Sequence, residues 1–115
     1  MLFRVDPADS APLFRQIAAQ VRGALAEGRL GPGDRLPPAR ELAEALDVNM
    51  HTVLRAYGDL RDEGLVDMRR RRGVIVREAA GGRARVITAA AALAAEARRV
   101  GMARDEVVAL LEEVM

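Results

Sequence analysis

The sequence predicts a mainly α fold with a small β-hairpin: a winged helix-turn-helix domain followed by a C-terminal helical dimerisation hairpin. Three observations carry this. Apolar residues recur at helical spacing in three successive stretches, the second and third separated only by Asp47 and Val48. A run of arginines, Arg69–Arg72, and then Gly73 sit between two short apolar stretches. Beyond a Gly-Gly pair, the chain ends in two further amphipathic stretches broken by Gly101.

The first helix follows Pro12, with Leu13, Phe14, Ile17, Ala18, Val21 and Leu25 as its apolar stripe. Asp9 and Ser10 are its candidate N-caps and Gly28 ends it. GRLGPGDRLP then reads as a connection, punctuated throughout by Gly and Pro. Pro37 and Pro38 open a second helix, since proline is tolerated in a first turn, and Leu42, Ala43 and Leu46 face inward. Asp47-Val48 makes a short turn. Asn49 caps a third helix that runs to about Glu63, with Val53, Ala56, Tyr57 and Leu60 buried and Gly64 as its stop. Met50, His51, Thr52 and Arg55 cluster on the other side of its first two turns. Helix, tight turn and helix, with the second polar at its N-terminal end, is the helix-turn-helix arrangement. Its recognition helix offers its first residues to base edges in the major groove.

Leu65–Met68 and Val74–Arg77 read as short strands joined by the arginine run, with Gly73 near the turn. A hairpin directly after a helix-turn-helix is a wing. The formal net charge is only +1, but neutralising phosphates needs a local patch rather than a basic protein. At a wing tip, beside the duplex backbone or a narrow minor groove, the arginines read as DNA contacts in preference to a solvated loop.

AAGGR, Ala79–Arg83, reads as a soft linker. The expected division is residues 1–78 for the winged domain, 79–84 for the linker and 85–115 for the tail. The first tail helix runs from about Arg85 to Val100, with Val86, Ala90, Leu93, Ala97 and Val100 on one side. The second, from Arg104 to the end, carries Val107, Val108, Leu111, Val114 and Met115, and Asp105 and Glu106 suit the dipole of its first turn. Two short helices with one apolar stripe each cannot enclose a core unaided. They are expected to join two copies through Leu93, Ala94, Ala97, Val107 and Leu111.

Composition narrows the chemistry. Hydrophobic residues make up 50% of the chain and aromatics only 3%, so the core is built from Ala, Val, Leu, Ile and Met, which suits closely packed helices. There is no cysteine, hence no disulfide and no thiolate metal site. His51 is the only histidine and has no carboxylates at ligand spacing. LGPGDR has two glycines but lacks the strand-to-helix context of a nucleotide loop, and no nucleophile elbow or GxxxxGK is present. No catalytic residue, metal or cofactor is expected, and the chain is not expected to be an enzyme. MLFRVDPADS has no signal-peptide core, and no stretch approaches the roughly 20 apolar residues needed to span a bilayer. A cytoplasmic location is expected. All 18 basic residues are arginine, a bias that an alanine-rich, GC-rich coding sequence also gives, so each arginine is not read as a contact.

The segments PLFRQIAAQVRGALAEGRLGPGDRLPPARELAEALDVNMHTVLRAYGDLRDEGLV and RRRRGVIV resemble the DNA-binding domain of GntR-family bacterial transcription regulators. The resemblance covers Ala11 to Arg77 and rests on G-x-L-x-P-G-x-R-L-P, R-E-L-A, V-N-x-x-T-V and A-Y-x-x-L-x-x-E-G-L-V in combination. The tail, ending GMARDEVVALLEEVM, resembles the YtrA-like subfamily with its small C-terminal region. The resemblance implies DNA contact by Arg35 and Arg40, by Asn49, Met50, His51, Thr52 and Arg55, and by Arg70, Arg71, Arg72 and Gly73 in the wing. Three positions depart from the family pattern. Arg71 replaces the first glycine of R-x-G-x-G, Pro38 replaces the serine of L-P-S, and Ala103 stands where the tail usually has a capping serine. The resemblance further implies a repressor acting near genes for membrane transporters and its own operon.

A dimer carrying two such heads would favour an inverted repeat with half-sites about one turn, 10 bp, apart, or a spacing set by the linker. So short a tail leaves little room for an effector pocket within one protomer, so an unidentified small-molecule effector would sit between the tails of a dimer. Two other readings stay open from the residues: a non-specific architectural DNA binder that relies on the wing, and a protein-interaction module whose DNA-binding head has decayed. At single residues, Arg40 could pair with Glu44 at i+4. Arg35 could anchor its own loop, and Tyr57 reads as core rather than as a stacking platform.

Overall fold

Ile17, Ala18, Val21 and Leu25 of the expected stripe are buried on α1 (Leu13–Ala26), joined by Ala24, while Leu13 and Phe14 are only half-buried. The buried side chains pack against Val53, Ala56, Tyr57 and Leu60 of α3 (Met50–Asp62), which is also buried along its predicted side. Between them lie β1 (Arg35–Leu36) and α2 (Ala39–Leu46). After them come β2 (Val66–Arg69), β3 (Gly73–Val76), α4 (Ala80–Arg99) and α5 (Arg104–Val114). This computed structural model describes residues 2–70 and 73–115. The chain divides into two compact units, Met1–Arg85 and Val86–Met115.

The start of α1 differs from expectation. Its N-cap is Pro12, with no side-chain cap. Asp9 instead accepts a hydrogen bond from the Ala11 N–H at 2.8 Å, a local turn that uses up the oxygen a cap would need. The segment before the helix is strapped along α1 by two glutamines. Gln16 accepts from the Asp6 N–H at 2.8 Å and donates to the Asp6 and Ala11 carbonyls at 3.0 and 2.9 Å. Gln20 accepts from the Arg4 N–H at 2.8 Å. The strap brings Phe3 into the core.

The connection read from Gly and Pro is in part a strand. Gly31 to Asp34 form a turn closed by the Asp34 N–H on the Gly31 carbonyl at 3.0 Å, with Gly33 at φ +85°. Pro32 before Gly33 is the composition such a turn demands. The chain leaves it as β1, which pairs antiparallel with β3, Arg35 opposite Ile75 and Leu36 opposite Val74. The sheet order is β1-β3-β2. Two residues show no alternation, so periodicity could not reveal this strand. The expected hairpin is present with each strand displaced one residue towards the turn, so that Arg69 and Gly73 pair within it, Val66 lies opposite Val76 and Met68 opposite Val74.

Pro38 is the N-cap of α2, and Leu42 and Ala43 are buried while Leu46 is only half-buried. Asp47 turns the chain in the left-handed region at φ 54°, and the Val48 N–H donates to the Ala43 carbonyl at 3.0 Å. Asp is one of the few side chains that tolerates this conformation. Asn49 then caps α3, its side chain accepting from the His51 N–H at 2.8 Å.

The C-terminal end of α3 is a junction. Arg22 of α1 donates to Glu63 through two nitrogens, at 2.6 and 2.8 Å. Arg83 Nε donates to the Glu63 carbonyl and lies over Gly64, which sits at φ +79°. Here the expected soft linker at 79–84 is corrected. Residues from Ala80 onward form the first turns of α4, and Ala80 and Ala84 are fully buried. A Cβ at Gly81 would come 3.4 Å from the Leu25 carbonyl oxygen. Gly81 thus lies in the helix against a neighbouring backbone, with room for ordinary contact, although Gly-Gly costs helix propensity and reads as flexible.

In the second unit, α4 continues to Arg99, Gly101 turns at φ +73°, and α5 follows. Ala103 offers no cap oxygen, but Glu106 accepts from the Ala103 N–H at 3.2 Å, the half of a capping box that alanine leaves intact. Ala97 is buried, whereas Val100 is 62% exposed, Leu111 40% and Val114 80%. Among the described residues, no helix is long and apolar enough to cross a membrane.

Candidate nucleic-acid interface

The first two turns of α3 present Asn49, His51 and Arg55 as exposed side chains, with Met50 and Thr52 half-buried beside them. Asn49 has two roles to fill. Its Oδ1 is committed to the His51 N–H, while its amide N–H₂ donors remain for another acceptor. The helix is aimed from behind by Tyr57. This residue is fully buried, as core, and its hydroxyl donates to the Pro37 carbonyl at 2.6 Å. Burial, and secondarily the Glu41 carboxylate, hold the phenol well above its ordinary range, so it remains a neutral donor. One hydrogen bond thereby ties the recognition helix to the start of α2.

Two grooves flank these turns. The larger, of about 750 Å³, runs between α3 and the hairpin and is rimmed by Arg35, Arg69, Arg70 and Gly73 over a floor including Leu36, Leu54 and Met68. The smaller, of about 480 Å³, brings Arg40 to Met50 across the turn between α2 and α3. The structure therefore gathers Arg35, Arg70 and Gly73 at one groove and Arg40 with Met50 at the other. Arg55 goes elsewhere, its guanidinium lying over the Phe14 ring of α1. Arg71 and Arg72 lie outside the described residues.

Ion pairing divides the arginines only in part, since Arg4, Arg15, Arg83, Arg85, Arg98 and Arg104, away from the two grooves, also lack a carboxylate within ion-pair distance among the described residues. Arg22, Arg29, Arg61, Arg69, Arg77 and Arg99 each have a carboxylate within ion-pair distance. Arg35, Arg40, Arg55 and Arg70 have none among the described residues, so Arg40 does not make the expected alternative pair with Glu44. Arg69, read with the rest of the arginine run but absent from the contacts the resemblance implies, ends β2, pairs with Asp67 and rims the larger groove opposite Gly73. Leu54 and Met68, which floor that groove, are apolar residues without any motif and carried no signal.

Comparison with known proteins agrees with this geometry. Residues 13–76 match the family described as bacterial regulatory proteins, gntR family. The HTH-type transcriptional repressor YtrA of Bacillus subtilis is 38% identical over 67% of this chain, and the match spans 59% of that protein's length. The HTH-type transcriptional regulator Rv1152 of Mycobacterium tuberculosis is 35% identical over 96% of this chain and 92% of its own. Among solved structures, YtrA from Sulfolobus acidocaldarius superposes with a TM-score of 0.63 at 40% identity, over 79% of this chain and 97% of that one. The DNA-binding domain of AraR, solved in complex with operator ORX1, aligns at 27% identity over 65% of this chain and 92% of its own, with a TM-score of 0.56. These relatives are transcription regulators and not enzymes. The chain belongs to the gntR family of bacterial regulatory proteins and carries that family's DNA-binding domain.

Proposed function

We propose that this regulator is a dimeric repressor that reads an inverted-repeat operator with α3 in successive major grooves. The observation that carries the reading is the cluster of Arg35, Arg40 and Arg70 on the two grooves beside the recognition helix, exposed and without carboxylate partners among the described residues. Unpaired guanidiniums at the margins of a helix N-terminus suit phosphate oxygens, which fix register. The side chains between them, Asn49, Met50, His51 and Thr52, supply donors, an acceptor and methyl contact for base edges. Arg71 and Arg72 would extend the wing's contribution to the backbone or minor groove. The repressor role is supported by the Bacillus subtilis relative, an HTH-type transcriptional repressor.

Dimerisation is supported by the second unit. Its helices leave Leu93, Val108 and Leu111 between 36% and 44% exposed, too much apolar surface for two short helices to keep in water without a partner. Leu93, Ala94, Val107 and Leu111 are the surface we assign to the second copy, whereas Ala97, expected there from its spacing, is buried within the protomer. An effector, if one acts, binds between the paired tails and changes operator affinity through the separation of the heads.

Light scattering of the full chain, combined with duplex titration over a salt series, tests this. A dimer is expected, with affinity falling linearly in log salt. Arg40→Ala and Arg70→Ala should each reduce that slope by about 1 for every operator sequence. A monomer whose slope neither substitution changes would overturn the proposal.

A further inference from the structure

We propose that Phe14 is a positioning residue of the DNA interface, holding the Arg55 guanidinium in place through its ring. This rests on the reading of α3 given above. By spacing Phe14 belongs to the apolar stripe of α1, yet it is only half-buried, while Ile17, Ala18 and Val21 behind it are fully buried. What covers the ring is charge. The Arg55 guanidinium carbon lies 3.8 Å from the ring centroid. That of Arg15 lies at 5.9 Å, close to the outer limit of about 6 Å for such an attraction. Arg55 is the cation the ring holds.

Arg55 stands three and four residues beyond Thr52 and His51, so it shares their face of α3. It is exposed and has no carboxylate partner among the described residues. An arginine free on a helix surface samples many rotamers, and that freedom is lost when it grips a phosphate or a guanine edge. A guanidinium held by its face keeps its in-plane N–H donors unspent. Phe14 therefore removes much of the ordering cost beforehand and leaves the donors for DNA. Leucine or methionine at this position would fill the space but supply no negative ring face. The effect of Phe14 on binding should then pass entirely through Arg55.

A double-mutant cycle on the full chain tests this. The probes are the duplex that the wild-type chain enriches from a random library and a scrambled duplex of the same composition. Phe14→Leu should weaken binding about two- to fivefold, and Phe14→Tyr, which keeps the ring, should bind like wild type. Added to Arg55→Ala, Phe14→Leu should change nothing further; added to Arg40→Ala, it should show its full effect. If Phe14→Leu proves unstable in a thermal melt, Phe14→Met replaces it in the cycle. Equal weakening by Phe14→Leu in the Arg55→Ala background, or loss of binding with Phe14→Tyr, overturns the positioning role. Wild-type affinity for Arg55→Ala alongside weakened Arg40→Ala overturns it too, while leaving the DNA-binding reading intact. Failure of the wild-type chain to bind either duplex defeats both.

Discussion

Tyr57 shows how much one side chain settles. Its ring fills the contact between α3 and the rest of the first unit, and its hydroxyl satisfies the Pro37 carbonyl where the connection enters α2. Removing the hydroxyl leaves that carbonyl short of a partner, so Tyr57→Phe should cost about 1–2 kcal/mol. A shift of the urea midpoint at unchanged m-value would register it. The pH dependence has a definite sign. Burial raises the folded-state pKa above the unfolded value of 10.0, so the contribution is complete below pH 10 and is lost as the pH rises above it, when the unfolded chain releases a proton that the folded chain keeps. The chain has one tyrosine, no cysteine and no lysine, so no other side chain has its ordinary pKa near 10. Wild type should lose stability between pH 10 and 12 as measured by urea unfolding, and Tyr57→Phe should be flat there. At this scale the sequence is legible wherever a role is local to one element: Asn49 caps the helix it opens, and Tyr57 falls on the inward face of its helix. It is illegible where the use depends on a partner far along the chain, as with Arg55 and Phe14, because spacing within one helix says nothing about what another helix brings to it.

Among the elements, helices of more than two turns were legible from their stripes, and the hairpin from the Gly73 turn between apolar stretches. What escaped were β1 and the first turns of α4, for related reasons. Both are made by contacts rather than by propensity. Leu36 is buried because β3 lies alongside, and Ala80 and Ala84 are buried in the first unit, beside Gly81, which lies against the Leu25 carbonyl. The junction below α3 carries a prediction at this scale. Gly64 occupies φ +79°, and a Cβ there would meet Arg83 Nε at 3.0 Å, so the Arg83 side chain would have to give by a few tenths of an ångström where it donates to the Glu63 carbonyl. Gly64→Ala should destabilise the protein by about 1–2 kcal/mol, most of it from the left-handed backbone. Chemical denaturation checks it, and Arg83→Ala should recover only the smaller, steric part.

For the whole molecule, the proposed function pairs two copies of α3, because a single one offers only Asn49, Met50, His51 and Thr52 as the base contacts we propose. The surface proposed for that pairing lies on the second unit, whose helices leave apolar side chains exposed. Charges there should separate the copies. Leu93→Asp combined with Leu111→Asp is expected to give a folded monomer by light scattering, with unchanged helical content in the first unit and operator binding weakened at least tenfold through loss of the second half-site. The measurement that bears most directly on the account is selection of bound fragments from a random duplex library at near-physiological salt, with Arg40→Ala run in parallel. One inverted repeat, with half-sites about one helical turn or a fixed multiple apart, and weaker recovery by Arg40→Ala, is the result the account predicts. Enrichment of no motif, with all binding lost as salt rises, would contradict it and make the chain a non-specific binder of the DNA backbone.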